Sequence, residues 1–157
     1  MSKLERNLEA GNTHSGARSD SILDDLVGYA LKRAHVHLNK SLASKLAEYD
    51  LRPSQFTAML IIDENPGLMQ ADIGVQLLIE PPQVVTLVNR LEKLGLAMRV
   101  RCKPDKRSYG IFLSKQGEQT LRQLRLEVRA LDAAGTARLS ESERTELLRL
   151  LKKVYRD

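Results

Sequence analysis

Along most of this 157-residue chain apolar side chains recur every three or four positions, which is the period of an amphipathic helix. The first such run is Ile22, Leu23, Leu26, Val27, Ala30, Leu31, Ala34, Leu38, Leu42 and Leu46. It predicts a helix from Asp20 or Ser21, either of which can cap, to about Glu48. That length exceeds what the core of a small domain requires and points to packing against a second subunit. A second helix opens at Leu51-Arg52-Pro53-Ser54-Gln55, with Pro53 in the first turn, where a missing N–H costs nothing. Phe56, Met59, Leu60 and Ile62 supply its apolar contacts, and Asn65-Pro66-Gly67 ends it. A third runs from about Gln70 to Leu78 with Ile73, Leu77 and Leu78 inward, and Gly74 lets another helix approach closely. The fourth has Pro81 and Pro82 in its first turn and Gly95 in a left-handed position just past its end. Val84, Leu87, Val88, Leu91 and Leu94 form its single apolar stripe, leaving Gln83, Thr86, Asn89, Arg90 and Lys93 on the remaining surface.

After Gly95 the period falls to two. Leu96, Met98, Val100 and Cys102 alternate with Ala97, Arg99 and Arg101; Lys103-Pro104-Asp105-Lys106-Arg107 carries turn residues; Tyr109, Ile111 and Leu113 then alternate with Ser108, Gly110 and Phe112. This is a β-hairpin with a basic tip. A fifth helix follows from its cap Ser114, with Leu121, Leu124, Val128 and Leu131 on one face, and Ala133-Ala134-Gly135-Thr136 interrupts it. Ser140 and Glu143 make a capping box for a sixth, whose stripe is Leu147, Leu150, Leu151 and Val154. Residues 1–19, rich in Ser, Gly, Asn and Thr, read as a flexible arm. The predicted fold is mainly α with a small β-hairpin wing. The third and fourth helices make a helix-turn-helix, and the hairpin makes it a winged one.

Composition changes this picture in one respect. The net charge is +5, and it is localised: residues 81–113 hold seven basic side chains and two acidic ones, while the rest of the chain balances. A concentrated basic patch on a helix and hairpin attracts a polyanion, and a major groove about 12 Å wide admits one helix. Aromatic residues are 4% of the chain and Trp is absent, so the core should be aliphatic. The single cysteine permits no intrachain disulfide, as expected in a reducing compartment. No apolar run approaches the length that spans a bilayer, and the amino-terminal stretch lacks the apolar segment of a secretory signal. The expected location is the cytoplasm.

The order of elements resembles the MarR family of bacterial transcription regulators. The resemblance lies in Leu51-Arg52-Pro53-Ser54-Gln55-Phe56, in Asn65-Pro66-Gly67-Leu68-Met69-Gln70-Ala71-Asp72-Ile73-Gly74, and in Asn89-Arg90-Leu91-Glu92-Lys93-Leu94-Gly95-Leu96. It continues in the wing signature Asp105-Lys106-Arg107 and in Leu113-Ser114-Lys115-Gln116-Gly117. It covers about Ser21 to the end. The resemblance implies a homodimer on a near-palindromic double-stranded DNA operator. Residues 20–49 and 114–157 would dimerise, through Leu23, Leu26, Leu147, Leu151, Val154 and Tyr155, and residues 50–113 would bind DNA. Pro82, Gln83 and Thr86 would face bases, with Asn89 beside them. Arg90 would be structural or hold phosphate. Arg99, Arg101, Lys103 and Lys106 would add wing contacts, and Asp105 would fix Arg107 in the minor groove. Pro81, Pro82 and Thr86 stand where family members often carry basic or hydroxyl residues, which shifts weight onto DNA shape and the wing. Met69 replaces the usual Ser or Thr cap of the third helix.

The resemblance also implies a small-molecule effector. Tyr29, Arg33, His37, Phe56 and Met59 are the candidates to line its site, and their mixture suits an aromatic acid or its coenzyme A thioester. Cys102, flanked by Arg101 and Lys103, offers a thiol-redox alternative, although the family's peroxide sensors carry their cysteine near the amino-terminal helices. His35 and His37, two apart on a helix, point to different faces and predict no metal site. No nucleophile–base set or phosphate-cradling glycine loop is present, so neither an enzyme nor a cofactor is expected. An architectural or protein-binding winged helix without effector response is the remaining alternative.

Overall fold

A computed structural model describes residues 22–101 and 109–156. The described elements are a 3-10 turn Ile22–Asp25, then α1 Val27–Ala47, α2 Pro53–Glu64, β1 Leu68–Met69, α3 Gln70–Leu77, α4 Pro81–Lys93, β2 Ala97–Arg101, β3 Tyr109–Leu113, α5 Lys115–Gly135 and α6 Glu141–Tyr155. The chain divides into two compact units, Met1–Ala34 and His35–Asp157. Where the sequence predicts one helix from residue 20 or 21, the structure has the 3-10 turn and starts α1 at Val27, with Ala30 N–H donating to Leu26 C=O at 3.0 Å. Ile22, Leu23 and Leu26 keep the apolar spacing of a helix through a segment that is not α-helical.

The second unit is built on an aliphatic core. Leu46, Met59, Ile62, Ile73, Val84, Val88, Leu91, Ile111, Leu121 and Leu124 are fully buried in it. The predicted stripe of α4 accounts for four of its buried positions, Val84, Leu87, Val88 and Leu91. Gly74 supplies the close approach that the sequence suggests: a Cβ there would lie 3.0 Å from the Val84 side chain, so α3 and α4 meet at the glycine. The turn between them differs from expectation. Leu78 is not an inward helical residue; it caps α3 in the left-handed region at φ 55° and is 90% exposed. Its neighbour Ile79 donates its N–H back to Gly74 C=O at 3.1 Å, closing the helix end. A glycine would take this conformation without strain, and here a leucine does so at the expense of exposing its side chain.

The wing is antiparallel, with Ala97 opposite Leu113 and Arg101 opposite Tyr109. A third strand, absent from the periodicity, completes the sheet. Leu68 and Met69 pair with Ile111 and Gly110, giving the sheet order β1-β3-β2. Two residues carry no periodicity, so only the tertiary pairing reveals the strand. Gly95 sits at φ +71° just past α4, as its position suggests. Ser114 Oγ accepts from Gly117 N–H at 2.9 Å and caps α5, which ends at Gly135 within the predicted interruption. Ser140 and Glu143 exchange bonds at the start of α6, at 2.8 and 3.3 Å.

A polar cluster ties the end of α1 to α5. Tyr49 OH and Gln123 Nε2 both donate to Glu127 Oε1, at 2.9 and 2.8 Å, and Lys45 Nζ lies 3.8 Å from the other oxygen. The Gln123 bond, then the Tyr49 bond, holds the Glu127 carboxyl below its ordinary value. No helix among the described residues is long and apolar enough to cross a membrane.

Candidate nucleic-acid interface

Two prolines, a sharp stop and a continuous apolar stripe make α4 a short rigid rod with one face sunk in the core and the other in solvent. The exposed face has a definite centre. Pro82, Thr86, Asn89 and Lys93 follow one another at intervals of three or four residues and lie on one ridge. Val85 flanks the ridge on one side and is 42% exposed; Gln83 and Arg90 flank it on the other. Of the sequence candidates on α4, Pro82, Gln83, Thr86 and Asn89 are therefore brought to one surface. Lys93 belongs there too. Its four-residue step from Asn89 is the signal that could have added it. Val85 is harder to find, because an apolar residue on a helix is read first as core.

Hydrogen bonding then sorts these residues. Gln83 Oε1 accepts from Glu80 N–H at 3.0 Å, so the amide oxygen closes the start of the helix and only its NH₂ group points to a ligand. Thr86 Oγ donates to Pro82 C=O at 3.0 Å, which keeps its methyl outward and its oxygen as an acceptor. Arg90 pairs with Asp50, which sits in the left-handed region at φ 57°. Arg90 is structural in this arrangement. Arg99 is drawn in further. Glu92 takes both its backbone N–H, at 3.0 Å, and its guanidinium, while Nε donates to Gln70 Oε1 at 2.8 Å. Arg99, expected among the DNA contacts, thus joins α4, β2 and the start of α3. Arg101 remains outside, donating to Tyr109 OH at 2.9 Å with its guanidinium 5.6 Å from the ring centre. Lys103, Asp105, Lys106 and Arg107, together with Cys102, lie outside the described residues.

The effector candidates are divided between the two units. Tyr29 and Arg33 belong to the first unit, where the guanidinium lies 5.8 Å from the ring centre and 3.5 Å from the hydroxyl. His37 is exposed on α1. Met59 is a fully buried core residue. Phe56 is also core but forms the floor of a cleft of about 370 Å³ between α2 and α5. Arg125 and Arg129 stand at that cleft. Arg125 is held by Asp63 at 2.8 Å, and Arg129 has no ion pair among the described residues. The candidate dimer residues are laid bare: Leu23 and Leu26 in the first unit, and Leu147, Val154 and Tyr155 on α6, where no residue is buried. Leu151 is half-buried.

A helix-turn-helix braced by a three-stranded wing, with a polar ridge on its second helix, defines the winged-helix class of DNA-binding regulators. Comparison with known proteins agrees. A sequence model of the MarR family matches residues 49–108. A putative transcriptional regulatory protein for the hcr operon of Thauera aromatica is 30% identical over 152 residues, covering 91% of this chain and 92% of that protein. The transcriptional repressor CouR bound to a 23-mer DNA duplex is 32% identical, with a TM-score of 0.82 over 90% of this chain and 100% of that one. CouR bound to p-coumaroyl-CoA is 30% identical, with a TM-score of 0.77 over 90% and 99% of the two chains. The chain belongs to the MarR family of transcription regulators.

Proposed function

We propose that the protein is a homodimeric repressor that holds a near-palindromic operator through two winged lobes and releases it when a small aromatic acid, or the coenzyme A thioester of one, binds. The observation that carries this reading is the α4 ridge of Pro82, Thr86, Asn89 and Lys93, a helix face of groove-reading size left in solvent by an otherwise well-packed lobe. The likeness to CouR on a DNA duplex supports the nucleic-acid partner, and the likeness to CouR with p-coumaroyl-CoA supports the effector class. The bare apolar residues of α6 and of the stretch before α1 support the second subunit. Residues 20–49 and 114–157 then dimerise, and residues 50–113 meet DNA. Pro82, Thr86 and Asn89 face bases. Arg101, Lys103 and Lys106 meet phosphates, and Asp105 holds Arg107 for the minor groove. The cleft over Phe56, with Arg129 at its edge, is the part of this chain that suits the aromatic end of the effector.

The mechanism is a population shift. Two α4 helices read one operator when they stand about one helical turn, ~34 Å, apart. An effector that binds better to a dimer of another spacing lowers operator affinity in proportion to that preference. A gel-shift titration on the region upstream of the gene tests this. The complex is expected to form, to weaken steeply with salt, and to dissociate on adding p-coumaroyl-CoA or a related acid. Arg107→Ala is expected to weaken binding at least tenfold, the scale of a charged hydrogen bond. A random duplex that competes equally well sinks the repressor reading; release by no acid or thioester sinks its effector half.

A further inference from the structure

Beside α4, on the flank of Gln83 and Arg90, runs an open crevice of about 850 Å³ whose opposite wall is the corner between α1 and α2. Arg52 and Ser54, both exposed, stand on that wall. Nothing in the local sequence marks either as more than the opening of a helix. We propose that this crevice receives one sugar–phosphate strand of the bound DNA, with the Arg52 guanidinium as its cationic contact and the Ser54 hydroxyl beside it. The inference rests on α4 being the helix that enters the groove.

The geometry follows from sizes. A helix with its side chains is about 10–12 Å across, and the B-DNA major groove is about 12 Å wide. A helix seated there fills the groove, so the phosphate ridges that wall it stand along the two flanks of the helix. The ridge of Pro82, Thr86, Asn89 and Lys93 faces the groove floor, which leaves the flank of Gln83 and Arg90, and hence the crevice, to one phosphate ridge. The charges fit that occupant. Arg90 and Asp50 neutralise each other across the crevice. Arg52 makes no ion pair among the described residues, so it is the uncompensated cation on the wall. Gln83, with its oxygen engaged by Glu80 N–H, presents amide donors to the same space. The Arg52 guanidinium, the Ser54 hydroxyl and the Gln83 amide can each donate to an anion, and none is placed to identify a base, as expected of contacts that set register.

The test compares full-length wild type with Arg52→Ala and Arg52→Lys on two duplexes, one selected by the wild type from a random pool and one unrelated. Affinity is read by fluorescence anisotropy over a range of salt. Loss of one phosphate contact predicts an Arg52→Ala protein about tenfold weaker on both duplexes, with the slope of log affinity against log salt shallower by about one, and a substantial recovery in Arg52→Lys. Arg52 is exposed, so its melting temperature should stay at the wild-type value. An Arg52→Ala protein with wild-type affinity and slope overturns the proposal. So does one that keeps DNA binding but no longer responds to an acid that releases the wild type, because the crevice is then a ligand site. Asn89→Ala and Thr86→Ala separate the two readings. If they weaken binding while Arg52→Ala does not, only the crevice inference falls; if neither weakens it, α4 is not in the groove and both fall.

Discussion

Arg99 and Arg52 differ in availability from what their sequence neighbourhoods suggest. Arg99 sits in the most basic segment of the chain, yet Glu92 and Gln70 take its donors and its side chain is 21% exposed. Arg52 sits in an ordinary helix opening, yet its charge is left without an acid among the described residues. Charge counting along a sequence cannot separate such cases, because a carboxylate seven or forty positions away, like Glu92 for Arg99 or Asp50 for Arg90, cancels the charge only after folding. The consequence is measurable. Arg99→Ala should lower unfolding free energy by about 1–2 kcal/mol, the scale of a partly buried charged hydrogen-bond set. It should leave the salt slope of DNA binding unchanged. Urea denaturation and anisotropy on the same protein check both halves, and a shallower slope with unchanged stability would return Arg99 to the interface.

At the scale of elements, helices follow the sequence closely where caps and stripes coincide. Pro53, the pair Pro81-Pro82, Ser114 and Ser140 all start helices where expected, because each satisfies or removes an orphan N–H locally. α6 depends on its cap most heavily, since none of its residues is buried. Ser140→Ala should therefore cost about 1 kcal/mol, seen as fraying of this helix in hydrogen exchange. The same cap carries a pH dependence. The backbone N–H of Ser140, then its hydroxyl, holds the Glu143 carboxyl below its ordinary value. A folded pKa below the unfolded one, about 4.3, means that the contribution is present above that pH and is lost as the pH falls through the folded value. Protection of the first turn of α6 should drop on acidification through that window, and Glu143→Gln should flatten the drop. Elements without a repeating pattern were not legible: the strand Leu68–Met69 exists because Ile111 and Gly110 pair with it, and the 3-10 turn Ile22–Asp25 hides inside an apolar periodicity that suits a helix.

For the whole molecule, the distribution of exposed apolar surface is the leading fact. The lobe around α2 and α4 closes its core, whereas α6 leaves Leu147, Leu148, Leu150, Val154 and Tyr155 open. In the proposed dimer these residues meet a second copy, and the protein's stability then depends on its own concentration. Leu147→Asp combined with Val154→Asp should convert a dimer into a monomer in sedimentation equilibrium and abolish binding to a two-half-site duplex, with each lobe's melting transition retained. A double variant that still sediments as a dimer removes α6 from the interface. If the wild type is itself a monomer at the concentrations that shift DNA, the two-lobe reading fails.

Periodicity, capping residues and the clustering of basic side chains determined by themselves the six helices, the hairpin and the helix-turn-helix they form. These signals are local: each is written within one or two turns or strands. Tertiary structure decided which of the charged residues remain available, because that depends on partners distant in sequence. It placed Asp50 against Arg90, drew Arg99 onto Glu92, turned Leu78 outward, added a strand to the wing, and opened a crevice along the flank of α4 with Arg52 on its wall. A helix face read from sequence is a set of side chains at the right spacing; what those side chains can hold is settled by the groups that folding brings beside them.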